Sequence, residues 1–169
     1  SIIDRIYFQY TYSTAITRNV DIYLGNTTKE VFASGTDYVP VGDMSLVFSG
    51  EIAFNNTEEW FEIELDDPFV YDGISNLVVT FDDNTGSYQY NASKFKYHNT
   101  LDNKSLYVSS DGTNYDPSNP VSGSLLTARN NIKFSNICVT EDCCFPPIFV
   151  ITEVHAKQIT FTFEVDDDN

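Results

Sequence analysis

The stretch WFEIELDDPFVYDGISNLVVTFDDNTGSY, residues 60–88, decides the fold class of this chain. In residues 61–65 apolar and acidic residues alternate, a pattern typical of a strand with one buried and one solvated face. Residues 67–73 contain Pro68 and Gly73 and predict a turn that carries its own aromatic side chains. Residues 77–81, LVVTF, are short and rich in β-branched side chains, and predict an interior strand covered on both faces.

The same stretch supplies a predicted core and a row of carboxylates. Glu62, Glu64 and Asp66 share one strand face at a spacing of about 6–7 Å, which approaches the ~5–5.5 Å separation of carboxylates in retaining glycosidases. A half-exposed strand carries such a solvated face in any case, and no GxSxG, HExxH or phosphate-loop motif is present. The chain is therefore predicted not to be an enzyme. The predicted core residues are Phe61, Ile63, Leu65, Phe69, Leu77, Val79 and Phe81.

The rest of the chain repeats the β pattern in short segments. Strands are predicted at residues 2–9, 20–24, 46–54, 90–97, 105–109 and 131–137, with a polar connection over residues 10–19. Gly25–Asn26 predicts a turn and Ser49–Gly50 a bulge or bend. No segment predicts a helix of more than a turn or two. Short strands separated by turn signals predict an all-β fold, a jelly-roll-like β-sandwich.

Charge and cysteine content restrict the partners. The 169 residues include 25 acidic and nine basic side chains, a net charge of −16, which repels nucleic acids and anionic membrane surfaces. No apolar run reaches the ~18 residues of a membrane span. Cys138, Cys143 and Cys144 lie within seven positions, a spacing compatible with a small disulfide loop, with free buried thiols or with a metal site.

The chain is predicted to divide at Cys144 into residues 1–144, one sandwich domain, and a C-terminal strand extension, residues 145–169. Strands are predicted at residues 148–154 and 158–165. About 25 residues cannot build a core of their own, so an alternating strand here must pack on the main domain or on another chain. The apolar residues of that strand, predicted to mediate self-association, are Ile159, Phe161, Phe163 and Val165.

Eight phrases follow one another along the chain: TRNVDIYLGNT (17–27), VFSG (47–50), Trp60 with Ile63 and Leu65, PFVYDG (68–73), SNLV (75–78), DDNTGSY (82–88), SDGTNYDP (110–117) and RNNI (129–132). Their order resembles a jelly-roll module of Bacteroidetes surface proteins, similar to the cleaved-adhesin domains of gingipains and haemagglutinins. The likeness covers roughly residues 2–137. It implies a secreted or cell-surface, non-catalytic adhesion module, and residues 147–164 resemble the first two strands of a fibronectin-type-III-like domain.

Modules of that family usually begin with a further strand that precedes what is Ser1 here. A sandwich lacking one strand has a groove with unpaired backbone groups. Two alternatives follow: the chain is partial or processed, or its own C-terminal strand fills the groove. Filling by a neighbour's strand would build a head-to-tail filament.

Two ligand sites are also predicted. Asp82, Asp83 and Asn84 place oxygen ligands on a glycine-containing turn, which favours a structural calcium ion, although Asp, Asn and Gly are equally good hairpin residues. Tyr88, Tyr90 and Tyr115 flank loops and could stack on sugar rings, although most tyrosines of a sandwich straddle core and water.

The predicted function is a secreted, extracellular adhesin or structural module that associates with itself or with other surface proteins. The alternative is a carbohydrate-binding module of a surface hydrolase. A glycan array that stays blank at high protein concentration would favour the first function, and polymerisation of the purified protein is the most informative single observation. A defined oligosaccharide ligand lost on substitution of Tyr88 or Tyr115 would favour the second.

Overall fold

The computed structural model describes residues 1–11, 14–55, 58–87, 94–137 and 158–162, and these residues form an all-β sandwich. The predicted fold class is confirmed. One short 3-10 helix, Val41–Asp43, interrupts the β structure. The strands are β1 (Ile2–Thr11), β2 (Ile16–Thr27), β3 (Ser45–Phe54), β4 (Glu58–Val70), β5 (Asn76–Asp83), β6 (Lys94–Phe95), β7 (Tyr97–Asn99), β8 (Ser105–Val108), β9 (Ser124–Leu126), β10 (Ala128–Asn130), β11 (Ile132–Ile137) and β12 (Gln158–Thr162).

Two antiparallel sheets make up the sandwich. The first has the order β11-β1-β4, and β6 pairs with the end of β1. The second has six strands in the order β3-β2-β5-β12-β8-β9. A two-stranded sheet, β7 with β10, completes the described part of the chain.

The sandwich has a lower and an upper end, which differ in the strands that begin and finish there. At the lower end β1, β5 and β8 begin while β2, β4 and β11 finish, because Ile2 pairs with both Val70 and Ile137. A side-chain hydrogen bond of 3.4 Å from Asn26 at the end of β2 to the Val70 carbonyl brings both sheets to this end. At the upper end β5 finishes at Asp83.

An aromatic core joins the sheets. The Phe8 ring of β1 meets the Phe81 ring of β5 edge to face at 5.6 Å, and Tyr10 meets Phe54 of β3 at 5.4 Å. Such contacts add to the stabilisation from buried apolar area. All seven predicted core residues belong to this cluster, with Phe61 half-buried at its border.

A second layer covers the outer face of the six-stranded sheet. Thr80 of β5 is fully buried and its hydroxyl donates to the Met44 sulfur at 3.6 Å. The Tyr38 hydroxyl donates to the Val121 carbonyl at 2.9 Å, which ties the loop after β2 to the loop after β8. Strand β5 is therefore covered on both faces, as its LVVTF run predicts.

Gly25 is not in a turn, so that prediction was wrong. It lies inside β2, which begins at Ile16 in the part predicted as a connection and runs to Thr27. A Cβ at Gly25 would stand 2.9 Å from Met44 Cγ and 3.2 Å from Val78 Cγ1. Glycine at position 25 therefore allows the covering loop to pack closely, and it does not reverse the chain.

Two further local predictions were wrong in position. The irregularity in β3 lies at Val47, because Ile22 pairs with Phe48 while Tyr23 pairs with Leu46, and the pairing at Ser49–Gly50 is regular. The turn predicted from residue 67 begins after Val70. Pro68 is accommodated inside β4 because β4 is an edge strand with a register shift opposite β1.

Gly123 offers a direct test of the outer layer. A Cβ at this position would lie 2.6 Å from the Tyr107 carbonyl oxygen, a backbone atom that cannot move aside. Gly123→Ala is expected to lower the free energy of unfolding by about 1–3 kcal/mol in urea titrations. Gly42→Ala is the matched control, since nothing lies within 4 Å of its Cβ position. Equal stabilities for the two variants would contradict this packing.

Candidate functional site

Strand β12 lies in the middle of the six-stranded sheet, between β5 and β8. On one side Ile159 pairs with Phe81 and Thr162 with Val78, and on the other Gln158 pairs with Val108 and Phe161 with Ser105. Both ladders are antiparallel. This strand joins β3-β2-β5 to β8-β9, so the slot between β5 and β8, here called the β12 slot, is the candidate functional site.

The walls of the β12 slot are among the most buried parts of the chain. The four β5 residues that face it, 78–81, are all buried, and Ser105 and Leu106 of β8 are fully buried. An empty slot would leave the N–H and C=O groups on these edges without backbone partners. A buried, unpaired group costs about 1–3 kcal/mol, and β12 supplies the backbone partners that avoid this cost.

The predicted self-association residues divide between described and undescribed positions. Ile159 and Phe161 belong to β12 and are level with Phe81 and Val79, two residues whose side chains are in the core. Phe163, Val165 and the other predicted strand, residues 148–154, lie outside the described residues, as do the three cysteines.

A buried acidic group lies beside the upper end of the slot. Asp82 is only 1% exposed, and its Oδ1 atom has no hydrogen-bond partner. The pKa of Asp82 is raised to about 7, mainly because burial disfavours the charged form. A hydrogen bond from Asn84 lowers this pKa, and the charges of Asp21, Asp83 and Asp116 raise it. Asp21 pairs directly with Asp82 across β2 and β5.

Amides connect this acidic group to the loop after β8. Asn84 Nδ2 donates to Asp21 Oδ2 at 3.2 Å, and Asn114 Nδ2 donates to Asn84 Oδ1 at 2.8 Å. Burial raises the pKa of Tyr23, and the carboxylates of Asp21, Asp82 and Asp116 raise it as well. Two carboxylates and two amides therefore meet at one place on the outer side of the sheet.

Asp83, predicted as a third metal ligand, has other partners. Its Oδ2 lies 3.6 Å from Arg18 Nη1, and its Oδ1 accepts a hydrogen bond from the Thr85 backbone N–H. Successive strand residues point to opposite faces, which separates Asp83 from Asp82. Within the described ranges, no three His, Cys, Asp or Glu side chains are arranged to hold a metal ion. The calcium site stays a prediction.

The predicted glycan site is mostly outside the described residues. Tyr88 and Tyr90 lie outside the described residues, while Tyr115 is half-buried in the loop after β8. The row of acidic residues on β4 is exposed: Arg5 Nε lies 3.1 Å from Glu62 Oε1 and Arg5 Nη2 lies 3.3 Å from Glu64 Oε1, so one guanidinium joins both carboxylates. Asp66 accepts a hydrogen bond from the Ser49 backbone N–H.

Sequence reasoning did not identify Asp21, Asn114 or Asp116 as neighbours of Asp82. Their proximity depends on the β2–β5 register and on the path of the loop after β8. The one available signal was the polar Asp21 within an alternating strand, a feature that a solvated face also explains.

Comparisons with protein-family models, with curated proteins and with solved structures found no match for this chain. No helix among the described residues has the length and apolar character needed to cross a membrane.

The raised pKa of Asp82 predicts a pH-dependent stability. Between about pH 4 and pH 7 the unfolded chain has lost this proton while the folded chain keeps it, so stability falls as the pH rises. Asp82→Asn should remove this fall, which is at most about 1.4 kcal/mol per pH unit for one proton. Urea titrations from pH 4 to pH 8 in chelator would measure the difference between the two proteins.

Asp72→Asn is an opposite-sign control for the pH experiment. Hydrogen bonds from Ser75 and the Ile74 backbone lower the pKa of Asp72, so its ionised form stabilises the fold above its unfolded-state pKa. This variant should be less stable than the wild type at neutral pH and equally stable in acid. If the free energy of unfolding depends on pH equally in the wild type and in Asp82→Asn, the raised pKa of Asp82 is contradicted.

Proposed function

We propose that this chain is a secreted, non-catalytic module for adhesion or extracellular structure, in which the C-terminal strand completes the sandwich and can be exchanged between copies. The observation that supports the proposal is the position of β12 in the centre of the six-stranded sheet, paired on both sides. The resemblance to surface adhesion modules and the net charge of −16 are consistent with an extracellular location.

Exchange requires a strand that can reach two equivalent slots. Twenty residues, 138–157, separate β11 from β12, and a chain of that length can span at most about 70 Å. The same backbone pairs would form in the slot of the same copy or of a second copy. Effective concentration then decides the balance, so dilution favours closure within one copy and high concentration favours head-to-tail assembly.

The alternative function, carbohydrate binding, rests on fewer described features. Of its three predicted aromatic residues, only Tyr115 is described, and its ring is half-buried. Strand exchange has a described pairing surface of its own. Self-association is therefore the function that we propose first.

Thr160→Pro tests the role of β12. Thr160 pairs with Thr80 and with Leu106, and proline lacks the N–H that a central strand needs. The full chain with this substitution should lose on the order of 3 kcal/mol of stability. Thr160→Val is the matched control, since it keeps the N–H and is β-branched. Hydrogen exchange at residues 78–81 and 105–108 should accelerate only in the proline variant.

Assembly is measured on the same proteins. The wild-type chain, refolded at high concentration, should give a series of oligomers in size-exclusion chromatography with light scattering, and Thr160→Pro should not. Unchanged stability and unchanged exchange in Thr160→Pro would show that β12 does not complete the sheet. Oligomers formed equally by both proteins would show that another surface mediates association.

We also propose that the acidic group beside the slot accepts a structural calcium ion. The unpartnered Oδ1 of Asp82 and the carboxylate of the neighbouring Asp21 are oxygen donors of the kind calcium prefers. Bound calcium would neutralise carboxylates that otherwise repel each other, and would thereby fix the upper end of β2 and β5.

A thermal-unfolding experiment at pH 8 tests calcium binding. Calcium at about 100 times its dissociation constant should stabilise the chain by about 2.7 kcal/mol relative to chelator. Asp82→Asn and Asp21→Asn should abolish the shift, while Asp43→Asn, an exposed carboxylate in the 3-10 helix, should retain it. A shift that survives both substitutions would place calcium elsewhere.

A further inference from the structure

The direction of the chain at the two ends of the sandwich bears on how copies would be arranged. Strand β11 finishes at the lower end, where Ile137 pairs with Ile2. Strand β12 begins at the upper end, where Gln158 pairs with Val108, the last residue of β8. Within one copy, the end of β11 and the start of β12 are therefore separated by the full height of the sandwich, about 26 Å for the eight residues of β5.

A second copy removes that separation. If the upper end of the next copy lies against the lower end of the first, the chain leaves β11 close to the place where β12 must begin. Strand β11 in the first copy and strand β12 in the slot of the next copy then run in the same direction. Strand order alone thus favours copies that point the same way.

The lower end also carries a group of exposed apolar side chains. Four of the seven exposed large hydrophobic residues in the described part of the chain belong to segments of this end: Val31 in the loop after β2, Val70 at the end of β4, Ile74 in the next turn and Leu101 in the loop before β8. Ile74 is 91% exposed and Leu101 99% exposed. Single exposed apolar residues are ordinary, but a collection at one end of a monomer indicates a contact surface.

Hydrogen bonds fix these segments to one another. The Asn26 side chain contacts the backbone of both Val70 and Asp72. Asn76 Nδ2 donates to the Lys29 carbonyl at 3.0 Å, and the Phe32 N–H donates to the Asn103 carbonyl at 2.9 Å. The four apolar residues, here called the lower-end cluster, are therefore carried by a connected group of loops.

We propose that strand exchange stacks copies end to end in one orientation, with the lower-end cluster of each copy against the upper end of the next copy. This inference rests on the proposed function and specifies its partner, a second copy of this chain, and its contact surface. The competing arrangement is a closed dimer of two antiparallel, side-by-side copies that exchange strands reciprocally. A closed dimer needs no contact at the lower end and cannot grow, whereas end-to-end stacking covers the lower-end cluster and stays open.

The test uses the full chain refolded at high concentration, followed by light scattering and small-angle X-ray scattering of separated oligomers. End-to-end stacking predicts dimers, trimers and longer species, each longer than the last by about one module. The double variant Ile74→Glu, Leu101→Glu should reduce the fraction of chains in oligomers at least fivefold, with an unchanged thermal transition of the monomer. Tyr97→Glu is the matched control, because Tyr97 is 60% exposed but belongs to β7 rather than to the lower-end cluster.

The outcomes separate this inference from the proposed function. Oligomers that stop at dimers, or that form equally in the double variant, would overturn end-to-end stacking and leave strand exchange in place. Wild-type chains that remain monomeric at every concentration would overturn both. A similar loss of oligomers in Tyr97→Glu would show that added negative charge, not the lower-end cluster, controls association.

Discussion

The structure depends on one set of backbone hydrogen bonds, those that β12 makes with β5 on one side and β8 on the other. Other strands add to a sheet that already exists, but β12 connects its two parts. Its neighbours are buried while β12 is in place, and their edge N–H and C=O groups lose these backbone partners when the strand leaves. A short segment late in the chain thus connects strands that come from far earlier in the sequence.

Much of the architecture could be predicted from the sequence, because the signals are local. The LVVTF run predicts a doubly covered strand, and the alternation in residues 61–65 predicts a half-exposed one; both are confirmed. Gly25 shows where local reasoning fails. A glycine required for close packing against Met44 has the same sequence signature as a glycine in a turn.

The site was less predictable, because it is built from pairings between distant segments. The alternation of Ile159 and Phe161 indicated a strand in need of a surface, but the choice of β5 and β8 depends on topology. Likewise, Asp82 was recognised as a candidate ligand, while its true neighbour Asp21 is defined by the β2–β5 register. Asp83, adjacent in sequence, faces away and pairs with Arg18.

Pro68 in the edge strand β4 has a consequence for specificity. An open edge invites any extended segment to pair with it and so promotes disordered aggregation. Here the lower half of that edge combines a proline without an N–H, a register shift and the exposed carboxylates Asp66 and Asp67. The module thus discourages indiscriminate lateral pairing along this flank, whereas β12 pairs at an interior position of the other sheet.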